Sequence, residues 1–182
     1  MGAFIGAERA GQAIDMAKIV FGEKFLTDNA VLYCVSNTNA PLVMDSHMSG
    51  ALKTYARAGQ PVACTPWVLT GAMSPCTVAG TLGQILAETM ATMTLTQLGN
   101  PGAPCLMGTF ASTMAMKSGA PTFGTPEAGL MVLAAGLLAR RLGVPLHTVG
   151  TLSASNLADG QSQQEATWGL IMALFAGANV VN

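Results

Sequence analysis

The chain has 182 residues, of which 51% are hydrophobic and only 9% are charged, with 8 Lys and Arg against 9 Asp and Glu. Soluble domains typically carry about 25% charged residues, so this chain has too few charges to cover a free-standing globule. Its net charge of −1 argues against a nucleic-acid or anionic-membrane partner, since both attract strongly basic proteins.

Two explanations compete for the low charge, a membrane protein and a section of a larger, heavily buried fold. A membrane span needs about 18 or more uninterrupted apolar residues. The best run, residues 128–139, stops at Arg140, and the longer stretch 77–98 is interrupted by Gln84 and Glu88. We therefore predict no transmembrane helix and a section truncated at both ends. The N-terminus shows no signal-peptide pattern, which predicts a cytoplasmic protein.

Hydrophobic periodicity predicts an alternation of helices and strands. Residues 7–19 have helical spacing, and residues 30–36 form an apolar run rich in β-favouring side chains. The next helix is predicted to be capped by Asp45 or Ser46 and to end at Gly59.

A second strand, residues 61–69, precedes a helix that Ser74 and Pro75 are predicted to open and that reaches about residue 98. Its polar residues recur at 3- and 4-residue steps and form one face: Thr81, Gln84, Glu88, Thr92 and Thr96. The simplest interpretation of Glu88 is an outward-facing charge.

A third strand, residues 103–110, leads into the segment "FASTMAMKSGAPTFGT". Between residues 110 and 125 the only charge is Lys117. Connections in αβ units are typically about 2 to 6 residues, and longer ones are usually functional or disordered. Disorder needs polarity and charge, so we predict an ordered loop that forms a wall of a site.

Thr125 and Pro126 are predicted to open the following helix, which Gly143 ends. After a fourth strand, Ser162 and Glu165 match a capping box that opens a helix reaching residue 175. A fifth strand follows at the end of the chain.

The strands lie some 30 to 40 residues apart, and the first four are each followed by a helix, which is typical of βα units and a parallel sheet. The chain has no Gly-rich nucleotide fingerprint, which favours a (β/α)8 TIM barrel over a doubly wound sheet. Because five strands cannot close such a barrel, we predict that residues 1–182 form one partial TIM-barrel domain of about five βα units.

In (β/α)8 enzymes the site lies at the carboxyl ends of the strands. The candidate binding residues there are Trp67, Phe110, Phe123, Asp159 and Gln161. The chain lacks a G-x-S-x-G elbow and a convincing pair of catalytic carboxylates, and His147, inside a strand, reads as a packed core residue. The open end of the barrel formed by these strand ends, which we call the mouth, is predicted to be neutral and aromatic, and such a surface suits a cationic, methyl-rich ligand.

The four cysteines, Cys34, Cys64, Cys76 and Cys105, form no CxxC or Cys/His cluster. Three of them lie in predicted strands, which indicates reduced core thiols rather than metal ligands. No metal site is predicted.

The segment "SGAPTFGTPEAGLM", with "QLGNPGAPCLMGTF" before it and "LLARRLGVPLHTVG" after it, resembles the central barrel of the trimethylamine methyltransferase family, including its members without pyrrolysine. "LADGQSQQEATWGLIMALFAGANVV" resembles the family's D-x-Q…E segment, and "GQPVACTPWVLTGAMSPCTVAGTLGQILAE" resembles the segment upstream. The resemblance covers nearly the whole chain. It departs at Ala154 and Asn156, where the family pattern often carries an acid and a lysine.

The resemblance implies a (β/α)8 barrel that moves a methyl group from a tertiary or quaternary amine, such as trimethylamine or glycine betaine, to the Co(I) of a corrinoid (cobalamin) on a separate protein. Trp67 is then a cage face or rim packing, and Asp159 either balances the substrate cation or shapes a turn. Gln161 matches the family motif and would bind ligand or loop. No catalytic residue is predicted.

Two alternatives stay open at this stage. One is a barrel methyltransferase that uses zinc, which would need Cys or His ligands at strand ends. The other is a non-catalytic barrel that binds quaternary amines. A homo-oligomer is compatible with either.

Overall fold

The computed structural model describes residues 6–182. The signal-peptide prediction falls partly on residues 1–5, which lie outside the described residues. In chain order the elements are α1 (Ala7–Phe21), α2 (Glu23–Asp28), β1 (Cys34–Ser36), α3 (Ser46–Arg57), β2 (Val62–Cys64), β3 (Trp67–Leu69), α4 (Val78–Gly99), β4 (Cys105–Met114), β5 (Pro121–Thr122), α5 (Pro126–Leu142), β6 (Leu146–Thr148), α6 (Gly160–Phe175) and β7 (Val180–Val181).

The sheet has the order β1-β2-β4-β6-β7, and every pair along this path is parallel. The order follows the chain without reversal, so each strand pairs with the strand of the preceding βα unit. The helices pack in the same sequence, α3 on α4, α4 on α5 and α5 on α6. The parallel α/β architecture is therefore confirmed.

The sheet is strongly curved. The Tyr33 hydroxyl, beside β1, lies 3.3 Å from Asn182 Oδ1, which follows β7. In a flat sheet the four strand spacings between them would hold the two backbones about 19 Å apart. Curling of this kind is compatible with a section of a TIM-like barrel.

The strands alternate between a helix side and a concave side. On the helix side, Cys64 packs with α3, and Met107 packs with α5. On the concave side, buried His147 lies within 3.3 Å of Thr65 Oγ1 and 2.8 Å of Asn182 Nδ2. Burial lowers the pKa of His147 despite the opposing Asn182 hydrogen bond. The prediction of a packed core histidine is confirmed.

The predicted second strand is two segments in one register. Val62 pairs with Cys105 and Trp67 pairs with Phe110, an offset of 43 residues in both cases. The ladder is interrupted at Pro66, which has no N–H to donate. Thr65, at the interruption, comes so close to Gly108 that only a glycine fits there.

The predicted loop 110–125 was wrong in its local structure. β4 continues to Met114, the chain turns through residues 115–120, and β5 returns antiparallel with Thr122 opposite Thr113. The alanine, serine, glycine and proline residues of this stretch give little strand signal, which is why the sequence suggested a loop.

Two helix starts differ from prediction. Thr77, not Ser74, caps α4 by accepting from Gly80 N–H at 3.1 Å. Asp159, not Ser162, caps α6 by accepting from Ser162 N–H at 2.9 Å. By contrast, the predicted caps Asp45 and Thr125 are confirmed for α3 and α5.

The interpretation of Glu88 as an outward-facing charge was wrong. Glu88 is 3% exposed, and Thr81, Thr92 and Thr96 of the same face are fully buried. Periodicity shows that α4 has a polar stripe but not which side it faces. Here the stripe faces inward, because the hydroxyls of Thr92 and Thr96 bond to carbonyls one turn earlier in the helix.

Over residues 6–182, no helix combines the length and apolar character that crossing a bilayer demands.

Candidate functional site

A row of side chains crosses three neighbouring strands near their carboxyl ends. Asn39 pairs with Trp67, and Trp67 pairs with Phe110. Val68, the next residue, is buried against the helices, so the alternation of a strand turns Trp67 and Phe110 to the concave side. The ring centroids of Trp67 and Phe110 are 6.3 Å apart with a tilt of 39°.

The β4–β5 hairpin brings a third ring to this row. Phe123 follows β5, and its ring centroid lies 6.0 Å from that of Phe110 in an edge-to-face arrangement at 76°. The hairpin is fixed by a hydrogen bond from the Ser112 hydroxyl to the Thr122 carbonyl, and the Thr113 and Thr122 hydroxyls lie 2.6 Å apart. Trp67, Phe110 and Phe123, which we call the aromatic row, are all partly exposed.

The loop between β6 and α6 borders the row on the other side. Glu165 accepts hydrogen bonds from the Ser153 hydroxyl at 2.8 Å, Ala154 N–H at 2.7 Å and Gln161 Nε2 at 2.8 Å. These bonds, led by that from Ala154, lower the pKa of Glu165. Glu165 packs directly on Gly124, where a Cβ would lie 2.5 Å from its Cγ.

The structure therefore joins some of the predicted residues and separates others. Trp67, Phe110 and Phe123 form one aromatic row. Gln161 reaches the row only through Glu165 and Gly124. Asp159 is exposed and bonds the Ser155 hydroxyl and Ser162 N–H, and the Ser162 bond lowers its pKa. Its contacts are those of a helix cap and a loop organiser.

The charges of the βα units are polarised along the strands. Because each helix runs back against its parallel strand, its N-terminus lies at the carboxyl end of the sheet. The acids near that end are Asp45, Glu127, Asp159 and Glu165, whereas Arg57, Arg140 and Arg141 lie in last helical turns at the opposite end. Among residues 30–182, the basic residues near the mouth are Lys117 in the hairpin turn and His47 in the first turn of α3. The mouth is therefore a favourable place for a cation.

Two functional candidates escaped the prediction of the site, Asn39 and Glu88. Asn39 is one of several amide residues in the predicted βα loops, and only strand register shows that it stands beside Trp67. Glu88 needed the packing of α4 to be known. The one sequence signal that could have selected Asn39 is its position three residues past Ser36, where an extended β1 would still lie beside the second predicted strand.

The cavities flank the aromatic row instead of coinciding with it. A cleft of about 950 Å³ lies between the start of α5 and α6, and Gly124, Gln161 and Trp168 are among its lining residues. A smaller cavity of about 40 Å³ touches Phe123. The chemistry of the rings, and not cavity volume, selects the aromatic row as the candidate site.

Cys105 is the cysteine with unusual chemistry. The hydrogen bond from the Cys64 thiol, together with the Gln97 amide 3.4 Å from its sulfur, lowers the pKa of Cys105 to about 6. The same bond raises the pKa of Cys64, which is fully buried. Cys105 lies at the start of β4, far along the strand from Phe110. In residues 6–182, no three His, Cys, Asp or Glu side chains are grouped so that they could hold a metal.

We expect iodoacetamide to alkylate Cys105 with a half-maximal rate near pH 6, because the thiolate is the nucleophile and its fraction rises through the pKa. Peptide mass spectrometry of the complete gene product measures this rate. Cys64→Ala removes the donor and is expected to move the midpoint to higher pH. A midpoint unchanged by Cys64→Ala would contradict this explanation.

The chain is similar in sequence to known methyltransferases along its whole length. The family model described as trimethylamine methyltransferase matches residues 1–182. Glycine betaine methyltransferase of Desulfitobacterium hafniense (strain Y51) is 38% identical over 182 residues, which are 100% of this chain and 38% of that protein. Trimethylamine methyltransferase MttB1 of Methanosarcina mazei is 34% identical over 78% of this chain and 29% of its own length. Trimethylamine methyltransferase MttB of Desulfitobacterium hafniense (strain DCB-2) is 32% identical over 91% of this chain and 33% of its own length. The chain thus spans about a third of the length of these relatives.

Proposed function

The chain belongs to the trimethylamine methyltransferase family, and from this premise we propose that the complete protein transfers a methyl group from a tertiary or quaternary amine to a corrinoid carried by a separate protein. Trimethylamine and glycine betaine, named in the relatives, represent the two substrate types. The observation that carries the proposal is the aromatic row at the carboxyl ends of the strands. The proposed place of action is the cytoplasm.

The aromatic row fits a methylated cation. Ring faces attract a cation by about 0.5 to 2 kcal/mol each, most strongly where water is excluded. Trp67, Phe110 and Phe123 offer three such rings in a row, with centroids 6.3 Å apart from Trp67 to Phe110 and 6.0 Å apart from Phe110 to Phe123. The acids around the mouth add a long-range attraction for positive charge.

The chemistry of a quaternary substrate requires no proton transfer. When the N–C bond breaks, its electron pair stays on nitrogen and the amine leaves neutral, so neither a general acid nor a base is needed. The residues of the row match this, since none of them titrates near neutrality. The protein's contribution is to orient the N–CH₃ bond and exclude water.

The corrinoid would supply a cobalt nucleophile that accepts the methyl group. The aromatic row fits such an acceptor, because its three rings are partly exposed at the rim and are therefore within reach of a second protein. The residues of this chain do not have to ligate cobalt in this arrangement.

We propose further that additional βα units of the complete protein close the sheet into a (β/α)8 barrel. Two facts support this. The sheet already curls, and large apolar side chains stay exposed on the outer helices, Ile19 and Phe21 on α1 and Leu174 and Phe175 on α6. The relatives have the length for such units.

A substrate panel on the complete gene product tests the function. The purified protein is incubated with reduced Co(I) cobalamin and one methylated amine at a time, and the visible spectrum of cobalamin is followed. We expect a spectral change with at least one tertiary or quaternary amine. Amine binding without any spectral change, with free cobalamin and with corrinoid proteins of the same organism, would instead indicate a non-catalytic binding barrel.

A further inference from the structure

We propose that Asn39 is a further ligand-contacting residue of the aromatic row, whose side-chain carbonyl faces the positive charge of the substrate, and that buried Glu88 positions it. The inference rests on the proposed function, because it concerns the same site. It assigns a role to two residues that neither composition nor the aromatic rings explain.

Asn39 is held in the row by its backbone. Its N–H donates to Val43 O at 2.7 Å, and Val43 N–H donates back to Asn39 O at 3.2 Å, so residues 39–43 form a tight turn. We call this segment the rim turn. Its first residue pairs with Trp67 in the parallel sense, and paired residues project from the same side of a sheet. Asn39 therefore stands beside the Trp67 ring, on the flank opposite Phe110.

The orientation of the Asn39 amide is fixed by Asp45. Asn39 Nδ2 lies 3.1 Å from Asp45 Oδ2, while Asp45 Oδ1 accepts from Met48 N–H at 2.8 Å and so caps α3. An ionised carboxylate only accepts hydrogen bonds, so the atom that faces Asp45 must be the NH₂ group. The carbonyl oxygen Oδ1 is then turned away from Asp45 and is free to meet a ligand. Its partial negative charge suits an ammonium methyl group and disfavours an anion.

Glu88 holds the rim turn from inside the protein. Glu88 Oε1 accepts from Leu42 N–H at 3.0 Å and from Gln84 Nε2 at 2.9 Å, and Glu88 Oε2 accepts from the Thr38 hydroxyl. The salt bridges among the described residues do not include Glu88. Its carboxylate is therefore stabilised by three donors, two of which belong to the segment that carries Asn39.

Leu42 explains why the turn needs this support. Its φ angle is 60°, in the left-handed region that leucine rarely adopts, and its side chain is 72% exposed. A non-glycine residue in this region is strained and persists only where its surroundings hold it. Packing of the leucine side chain cannot hold it, since that side chain is largely in water. The bond from Leu42 N–H to Glu88 does so, and it thereby fixes Asn39 three residues earlier.

Binding of tetramethylammonium to the complete gene product, measured by calorimetry, tests the contact. Asn39→Leu keeps the size of the side chain but removes its carbonyl, and we expect the Kd to rise about fivefold, which corresponds to about 1 kcal/mol. Asn29→Leu, at an exposed asparagine that precedes β1 and so lies at the opposite end of that strand from Asn39, is the matched control and should bind as wild type does. Wild-type affinity in Asn39→Leu would overturn the contact.

A double-mutant cycle tests the positioning role of Glu88. Glu88→Gln should raise the Kd about threefold, and the pair Asn39→Leu with Glu88→Gln should bind no worse than Asn39→Leu alone, since Glu88 acts through Asn39. Leu42→Gly relieves the strain, because glycine adopts positive φ readily, and should restore affinity to Glu88→Gln. Additive losses, or no rescue by Leu42→Gly, would overturn positioning.

The outcomes separate this inference from the proposed function. A wild type that binds tetramethylammonium with the expected mutant pattern but transfers no methyl group would refute only the methyltransferase proposal. A wild type that transfers methyl groups, with Asn39→Leu unchanged in both Kd and KM, would refute only the role of Asn39.

Discussion

Replacing Trp67 and Phe110 together by leucine is expected to raise the KM for a quaternary amine about 100-fold in the complete gene product. The two rings make the central contact of the aromatic row, with centroids 6.3 Å apart. Each is expected to contribute about 0.5 to 2 kcal/mol of cation attraction, and a loss of about 2.8 kcal/mol is a factor of about 100. Leucine keeps apolar contact, so the loss reports the ring face and not mere burial.

The control for this prediction is a neutral ligand of the same shape. An analogue in which carbon replaces the ammonium nitrogen, such as 3,3-dimethylbutanol in place of choline, keeps the methyl groups and lacks the charge. Wild type should bind the cation more tightly than the analogue, and the double variant should bind both about equally. Phe175→Leu, an exposed phenylalanine at the far end of α6, should change neither affinity.

An equal loss of affinity for the cation and for its neutral analogue would contradict cation binding by the rings. It would indicate instead that Trp67 and Phe110 pack the rim of the sheet, the second interpretation that their sequence position allowed. Thermal unfolding of the variants separates the two, since rim packing lost from the β3–β4 contact would lower stability as well.

The order of strands and helices was predictable because it depends on local chemistry. Asp45 and Thr125 have side chains that accept from helix N–H groups, and Gly143 adopts the left-handed cap with φ of 69°. Such signals act within a few residues, so the sequence alone reveals them. The three residues of the aromatic row could also be named from the sequence, because parallel strands bring their carboxyl ends to one edge of the sheet.

What the sequence could not reveal depends on partners far along the chain. Glu88 is buried because a segment about 46 residues earlier supplies the Leu42 N–H it accepts. Nothing near Glu88 in the sequence signals that donor. Likewise, β4 extends to Met114 because β3 and β5 pair with it on both sides. Secondary-structure propensity is a property of a single residue, whereas the burial of Glu88 and the length of β4 depend on contacts between residues that are distant in the sequence.

The three predicted rings and the two missed residues differ in the same way. An aromatic side chain is large enough to suggest its own role in a mouth. The role that we propose for Asn39 follows only from register, since the residue gains its place by pairing with Trp67. The sequence therefore predicts which kinds of side chain line the candidate site, whereas their arrangement depends on strand register.

Gly108→Ala is expected to destabilise the complete protein by about 3 kcal/mol, the upper range for overpacking a core. A Cβ at Gly108 would overlap Thr65 Oγ1 and lie 2.7 Å from Thr65 Cα, so backbone and not only a side chain would have to move. The Thr65 hydroxyl also lies 3.3 Å from His147 Nδ1. Displacing Thr65 therefore disturbs the contact of β2 with β6 across β4, as well as the strand pairing itself.

Urea unfolding measures this effect, and two other glycines calibrate it. A Cβ at Gly136 would lie 2.9 Å from the Ala176 carbonyl carbon, so Gly136→Ala should also destabilise the protein, by forcing α5 away from the end of α6. Gly83 lies on the exposed side of α4 with nothing within 4 Å, and Gly83→Ala should stabilise it by about 0.5 to 1 kcal/mol through the lower entropy of the unfolded chain. If Gly108→Ala unfolded at the same urea concentration as Gly83→Ala, β2 and β4 could not approach as closely as this register requires. The pairing of Trp67 with Phe110, which depends on the same register, would then be contradicted.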